Sequence, residues 1–218
     1  MAAGPQYTFD GSTPTTGRQG KTGEAIVAPA HGELHEAASR GVLFRACEQA
    51  GVAPGTALGT TACLSLYNPG NSGKVLSVWV VGLGYISGTL GAGTVFHCTN
   101  SPTHTGALAA IAQPSGGTSL SIYPARLGGR VAQAGNASVA EVRSGSTVTT
   151  PVAARPLCSL QASLATTAVA PWLVKDWVRG EFLIEPGFCY QIQGITAAGS
   201  TPLVAPSVLW EEIPLQYA

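Results

Sequence analysis

SLYNPGNSGKVLSVWVVGLGYISGTLGAG, from Ser65 to Gly93, is the stretch on which the fold turns. It contains Gly70-Asn71-Ser72-Gly73-Lys74 and Gly82-Leu83-Gly84, each beside an apolar run. Two readings compete: a phosphate-binding loop, or glycines that turn strands. A phosphate loop leads from a strand into a helix. Here Lys74 leads into Val75–Val81, VLSVWVV, which is rich in β-branched residues and strand-like. Asn68–Gly73 is a cluster of Asn, Pro, Gly and Ser, the residues that turns require. Gly82 and Gly84 fall inside the following strand, where glycine marks a bulge or a close backbone approach. Ser87–Gly93, SGTLGAG, is expected to close the next hairpin. The glycines are therefore read as structural.

Outward from this stretch the same texture continues. Runs of Val, Leu, Thr, Tyr and Trp alternate with Gly, Pro, Asn and Ser from residue 56 onward. Strands are expected near 58–67, 75–86, 92–98, 106–112, 118–123, 129–134, 138–143, 155–165, 178–184, 188–195 and 206–213. Glu185-Pro186-Gly187 reads as a turn between the two strands beside it. By the two-residue period, Val208 and Trp210 share one face of the last strand and Leu209 the other. A succession of strands with one apolar face predicts a mainly β fold, an antiparallel sandwich or barrel.

Two segments stand before the strands. Residues 1–30 are rich in Gly, Thr and Pro with little periodicity, and read as an extended arm. Gly20-Lys21 in that arm lacks the glycine of a phosphate loop, because position 15 is Thr15. His31–Gly55 carries Leu34, Ala38, Val42 (or Leu43) and Ala46 at helical spacing, which predicts a helix over about Glu33 to Ala50. Gly51 and Pro54 supply its stop, while Gly41 inside it weakens the pattern. The expected organisation is an arm and helix over 1–55 and a β-sandwich over 56–218.

The composition narrows the function. Charged residues are 10% of the chain, with 11 basic and 11 acidic side chains and a net charge of zero. Soluble domains average about 25% charged residues, and free monomers are kept soluble by net charge. Interface cores are depleted in charge. The composition therefore points to a surface covered by other chains; a surface of Ser, Thr and Gly is the alternative. The balanced charge argues against nucleic-acid binding, which needs a basic field. No apolar run reaches the length of about 18 residues that a membrane helix needs. The N-terminus has neither a basic start nor an apolar run, so no signal peptide is expected. Cys47, Cys63, Cys98, Cys158 and Cys189 are odd in number and widely spaced, which fits reduced, mostly buried thiols made in a reducing cytoplasm.

Chemistry-bearing patterns are weak. His31 and His35 stand four apart, but Gly32 occupies the position of the glutamate in a zinc-protease motif. Glu33 and Glu36 suit a helix N-terminus as well as a metal. His97 and Cys98 are adjacent on a strand and face opposite ways, so they form no catalytic pair. His104 lies in a loop. Glu211 and Glu212, or Glu181 and Glu185, place carboxylates near one another in sequence without bringing them to one cleft. No catalytic residue, metal site or cofactor is expected. Trp172 and Trp177 in APWLVKDWVRGE read either as a sugar-binding platform or as core or interface anchors. With Tyr7 and Phe9 of the arm, they are the candidate interaction residues.

SLYNPGNSGKVLSVWVVGLGYISGTLGAGTVF resembles a segment of small virion structural proteins of tailed bacteriophages, in which an LYNP…SGK turn leads to GYxSGTLGAG. IEPGFCYQIQGITAAGSTPLVAPSVLWEEIP is similar to their closing strands. The likeness covers roughly residues 58–98 and 180–214. It implies a jelly-roll-like sandwich on the virion, assembled in the host cytoplasm, as a homotrimer in contact with the major capsid protein or other virion proteins. The implied roles are capsid decoration or, alternatively, a head- or tail-attached fibre module binding a host receptor. The resemblance carries over no catalytic residues.

Overall fold

A computed structural model describes residues 6–8, 14–16, 33–59, 61–100, 113–126, 137–149, 151–160, 173–197 and 199–215. By its contacts the chain divides into two compact units, Met1–Glu36 and Ala37–Ala218. In the first, β1 (Gln6–Thr8) pairs antiparallel with β2 (Pro14–Thr16), Tyr7 opposite Thr15. These two short strands are the described part of the segment read as an arm.

The long helix expected over Glu33 to Ala50 is corrected. Helix α1 spans His35–Arg40 only. Gly41 ends it at φ 74°, in the left-handed region where glycine has no Cβ to clash. The Gly41 N–H donates to Ala38 O (3.1 Å) and the Val42 N–H to Ala37 O (3.1 Å), the paired bonds of a Schellman stop. Leu43–Cys47 then forms strand β3. Its Leu43, Phe44 and Ala46 are buried, a pattern that a helical period also fits, and pairing with the last strand decides for β.

The remaining strands are β4 (Thr61–Ala62), β5 (Leu64–Asn68), β6 (Lys74–Thr89), β7 (Gly93–Asn100), β8 (Thr118–Ser119), β9 (Tyr123–Pro124) and β10 (Glu141–Ser144). They continue with β11 (Ser146–Thr147), β12 (Pro151–Leu160), β13 (Leu173–Trp177), β14 (Leu183–Ile184), β15 (Phe188–Thr196) and β16 (Ser200–Pro214). One sheet runs β12-β7-β15-β5-β10-β8, the other β13-β6-β16-β3-β9, with β14 also on β6. β4 and β11 make a small separate pair. All the pairings are antiparallel, and the fold is mainly β and sandwich-like, as the strand-and-turn texture predicts. The strands expected at 106–112 and 129–134 lie outside the described residues. The strand expected at 178–184 is corrected: β13 ends at Trp177, Arg179 and Gly180 turn at positive φ, and only Leu183–Ile184 resumes pairing.

The core lies between the sheets. From Val204 to Ile213 of β16 the burial alternates without a break, so Val204, Val208, Trp210 and Glu212 face inward. β6 opposes it with one extra residue. The register shifts between Leu209↔Val80 and Trp210↔Val78, leaving Trp79 as a bulge. That bulge lets Leu76 and Val78 on one side of it, and Val81 and Leu83 on the other, all reach the core fully buried. Without it the two-residue period would turn one of these pairs outward.

The opening stretch is resolved at Lys74. Its Nζ is 2.7 Å from Glu212 Oε2, and Asn68 Nδ2 donates to its carbonyl at 2.8 Å and to Ile184 O at 2.8 Å. The lysine is committed to a buried carboxylate, not held out to a phosphate. One expectation changes. β6 and β7 lie in different sheets, so Ser87–Gly93 makes a crossover between sheets and closes no hairpin. The β15–β16 connection crosses beside it. A Cβ on Gly91 would sit 1.7 Å from Ala197 O, and one on Gly199 2.0 Å from Thr89 O. The two connections pack backbone to backbone. A Cβ on Gly82 would sit 2.5 Å from Ser207 Oγ, a contact that rotation of the serine side chain relieves.

Candidate interaction surface

β12 and β13 are edge strands of opposite sheets on the same side of the sandwich. Arg155 of β12 joins them. Its Nη2 donates to Asp176 Oδ2 of β13 at 2.6 Å, and its Nε donates to Glu181 at 2.9 and 3.1 Å. Asp176 Oδ2 is also 2.9 Å from Nε2 of the fully buried His97 on β7. His97 Nδ1 is 2.5 Å from the Tyr190 hydroxyl, and its ring stacks on Phe182 with centroids 5.5 Å apart. With the single N–H of the neutral ring on Nε2, Nδ1 accepts from Tyr190 O–H; the Nε2 N–H is close to the carboxylate but is not aimed along a hydrogen bond to it.

Burial, reinforced by the Arg155 charge and opposed by Asp176 and Glu181, lowers the His97 pKa from 6.5 to about 4. Burial pushes the Tyr190 phenol well above its ordinary value. With both groups neutral, the cluster is a brace that ties β7, β12, β13 and β15 together. A depressed histidine pKa means the unfolded chain binds the extra proton first. The contribution of His97 is therefore complete above the unfolded value near 6.5 and lost as pH falls toward about 4, a loss of roughly 3 kcal/mol. Urea midpoints of the native protein and His97→Gln at pH 7.5, 6, 5 and 4 check this. The difference between the two should shrink as the solution is acidified; a constant difference contradicts it.

Outside the brace the same side of the molecule exposes three large apolar side chains among charged ones. Trp177 of β13 is 48% exposed, Leu183 of β14 59% and Val152 of β12 45%. The period-2 alternation that turns Asp176 inward turns Lys175 and Trp177 outward. Lys175 Nζ stands 4.1 Å over the Trp177 ring, a cation–π contact. Nearby is a groove of about 320 Å³, at the low end for ligand sites. Phe182, Leu183, Ile184, Phe188 and Tyr190 line it, with the exposed Glu181 and Glu185 among its walls.

No protein-family model, curated protein or solved structure matches the chain.

The four expected interaction residues separate. Trp177 lies on this surface; Tyr7 is on β1; Phe9 and Trp172 lie outside the described residues. The sequence reading missed Lys175, Val152 and Leu183 as surface features, and the brace altogether. Glu211 and Glu212 face opposite ways: Glu211 accepts from Trp79 Nε1 (3.3 Å) and Arg40 (3.3 Å), and Glu212 is buried against Lys74. His35 opens α1, while His31 and His104 lie outside the described residues. Among the described residues no three His, Cys, Asp or Glu side chains are grouped to hold a metal, and no helix is long and apolar enough to cross a membrane. Cys63, Cys98 and Cys189 are buried thiols, Cys158 is half-buried and Cys47 exposed.

Proposed function

We propose that this chain is a non-enzymatic structural protein of a tailed-bacteriophage virion, a decoration protein that stabilises the head by binding, as an oligomer, to neighbouring capsid subunits. The observation that carries the reading is the scarcity of charge, 10% of residues, in a sandwich whose edge strands expose Trp177, Leu183 and Val152. Large apolar side chains exposed beside one another mark an association site, and Ile86, Tyr123, Ile195 and Leu215 are exposed elsewhere on the described surface. A specific contact of standard size buries about 1,600 Å². The virion setting comes from the resemblance of Ser65–Phe96 and the closing strands to phage structural proteins.

A receptor-binding fibre module is the second reading, and exposed Trp177 is what favours it. An exposed indole can stack on a sugar ring, although Lys175 already covers one face of this one. The two readings separate in one experiment. Purified protein is mixed with heads and, separately, with host cells of the phage that encodes it. Cosedimentation with heads, and raised resistance of those heads to heat, supports decoration. Binding to cells without binding to heads supports the fibre reading.

A further inference from the structure

We propose that the Lys175–Trp177 pair of one copy docks into the groove beside Phe182, Leu183 and Phe188 of a second copy, with Lys175 facing Glu185. The inference rests on the self-assembly part of the function proposed above and names the surface that carries it. Three observations lead to it. Trp177 is a large apolar side chain left half-exposed on an edge strand. The groove is mostly apolar and has a volume of about 320 Å³, room for one large side chain. The charges match: an ammonium stands on the indole at 4.1 Å, and Glu181 and Glu185 line the groove. Arg155 holds Glu181, whereas Glu185 has no ion pair among the described residues. A basic aromatic projection and an acidic apolar recess on one chain are complementary to each other, which makes a second copy the fitting occupant.

Such a contact is head-to-tail, because the projection and the recess are different surfaces. It closes into a ring when the rotation between copies allows. Trp177 lies opposite Val80 of β6 and Leu183 opposite Ser77, so the two features stand only roughly 10 Å apart along that strand. In a closed ring this short separation keeps the contact near the symmetry axis, with the β13–β14 sides of all copies meeting there.

Sedimentation velocity over a concentration series tests the proposal with four proteins: wild type, Trp177→Ala, Lys175→Glu and the double variant Lys175→Glu/Glu185→Lys. Trp177→Ala is expected to weaken self-association at least about thirtyfold, as loss of a buried interface aromatic does. Lys175→Glu should weaken it several-fold, more so at low salt, and the double variant should recover most of that loss. Thermal melts near the wild-type value confirm that the exposed substitutions leave the fold intact; if Trp177→Ala melts early, the Lys175 and Glu185 variants decide. Wild-type assembly that neither Trp177→Ala nor the charge variants alter overturns this docking while leaving the proposed function standing. A wild-type chain that does not self-associate overturns both.

Discussion

Gly91→Ala is expected to be the most damaging single-methyl substitution in the sandwich. A Cβ there would meet Ala197 O at 1.7 Å and Ala197 C at 2.5 Å. Both contacts are backbone atoms, so no side chain can swing away. Relief requires the β6–β7 and β15–β16 connections to separate, and these carry the chain between the two sheets. A destabilisation of at least about 4 kcal/mol follows, in the tail reserved for strain of this kind. For a domain of this size it lowers the melting temperature by roughly 10 °C or more. Gly70→Ala is the control, because nothing lies within 4 Å of its Cβ position. Gly70→Ala should melt close to wild type; a Gly91→Ala protein that does the same contradicts the close packing of the crossovers.

That glycine shows where local sequence stops being informative. SGTLGAG announces a turn, because Gly and Ser in a cluster rarely mean anything else. Whether the strands on either side then pair with each other or go to opposite sheets is decided by distant partners, β16 for β6 and β15 for β7. The alternation of Val208, Leu209 and Trp210 was legible because it needs only the two-residue period. Burial of Leu76, Val78, Val81 and Leu83 together was not, since it depends on the bulge at Trp79. LFRAC is ambiguous for a related reason: Leu43 and Ala46 stand at helical spacing while Phe44 and Ala46 stand at strand spacing, and Gly41 is the stop signal that separates the two readings. The surface was half legible. Trp177 stood out as an aromatic among polar neighbours, but the brace of His97, Arg155, Asp176 and Tyr190 joins strands far apart in the chain and has no local signature.

Glu212→Ala is the second large effect. The carboxylate is fully buried and holds Lys74 Nζ at 2.7 Å, the Ser138 hydroxyl at 2.6 Å and the Val139 N–H at 3.0 Å. These tie the start of β6 and the segment before β10 to β16. Removing the acid leaves these three donors, the Lys74 ammonium among them, without their acceptor. Lys74 is partly exposed, so its charge is not stranded in the core; the lost pair and the buried donors left without an acceptor together cost about 3 kcal/mol. Glu212→Leu combined with Lys74→Met removes both charges and should recover a large part of that loss. Urea denaturation of the single and double variants reads both values; a single variant within about 1 kcal/mol of wild type contradicts the role given to Glu212.

The reading of this protein as one part of an assembly rests on its charge-poor surface, and the most direct test is its native mass in solution. Sedimentation equilibrium of the wild-type chain, from low micromolar to high concentration at moderate salt, should show a discrete oligomer of a few copies that dissociates only on dilution. A single 22.1 kDa species throughout that range would contradict it.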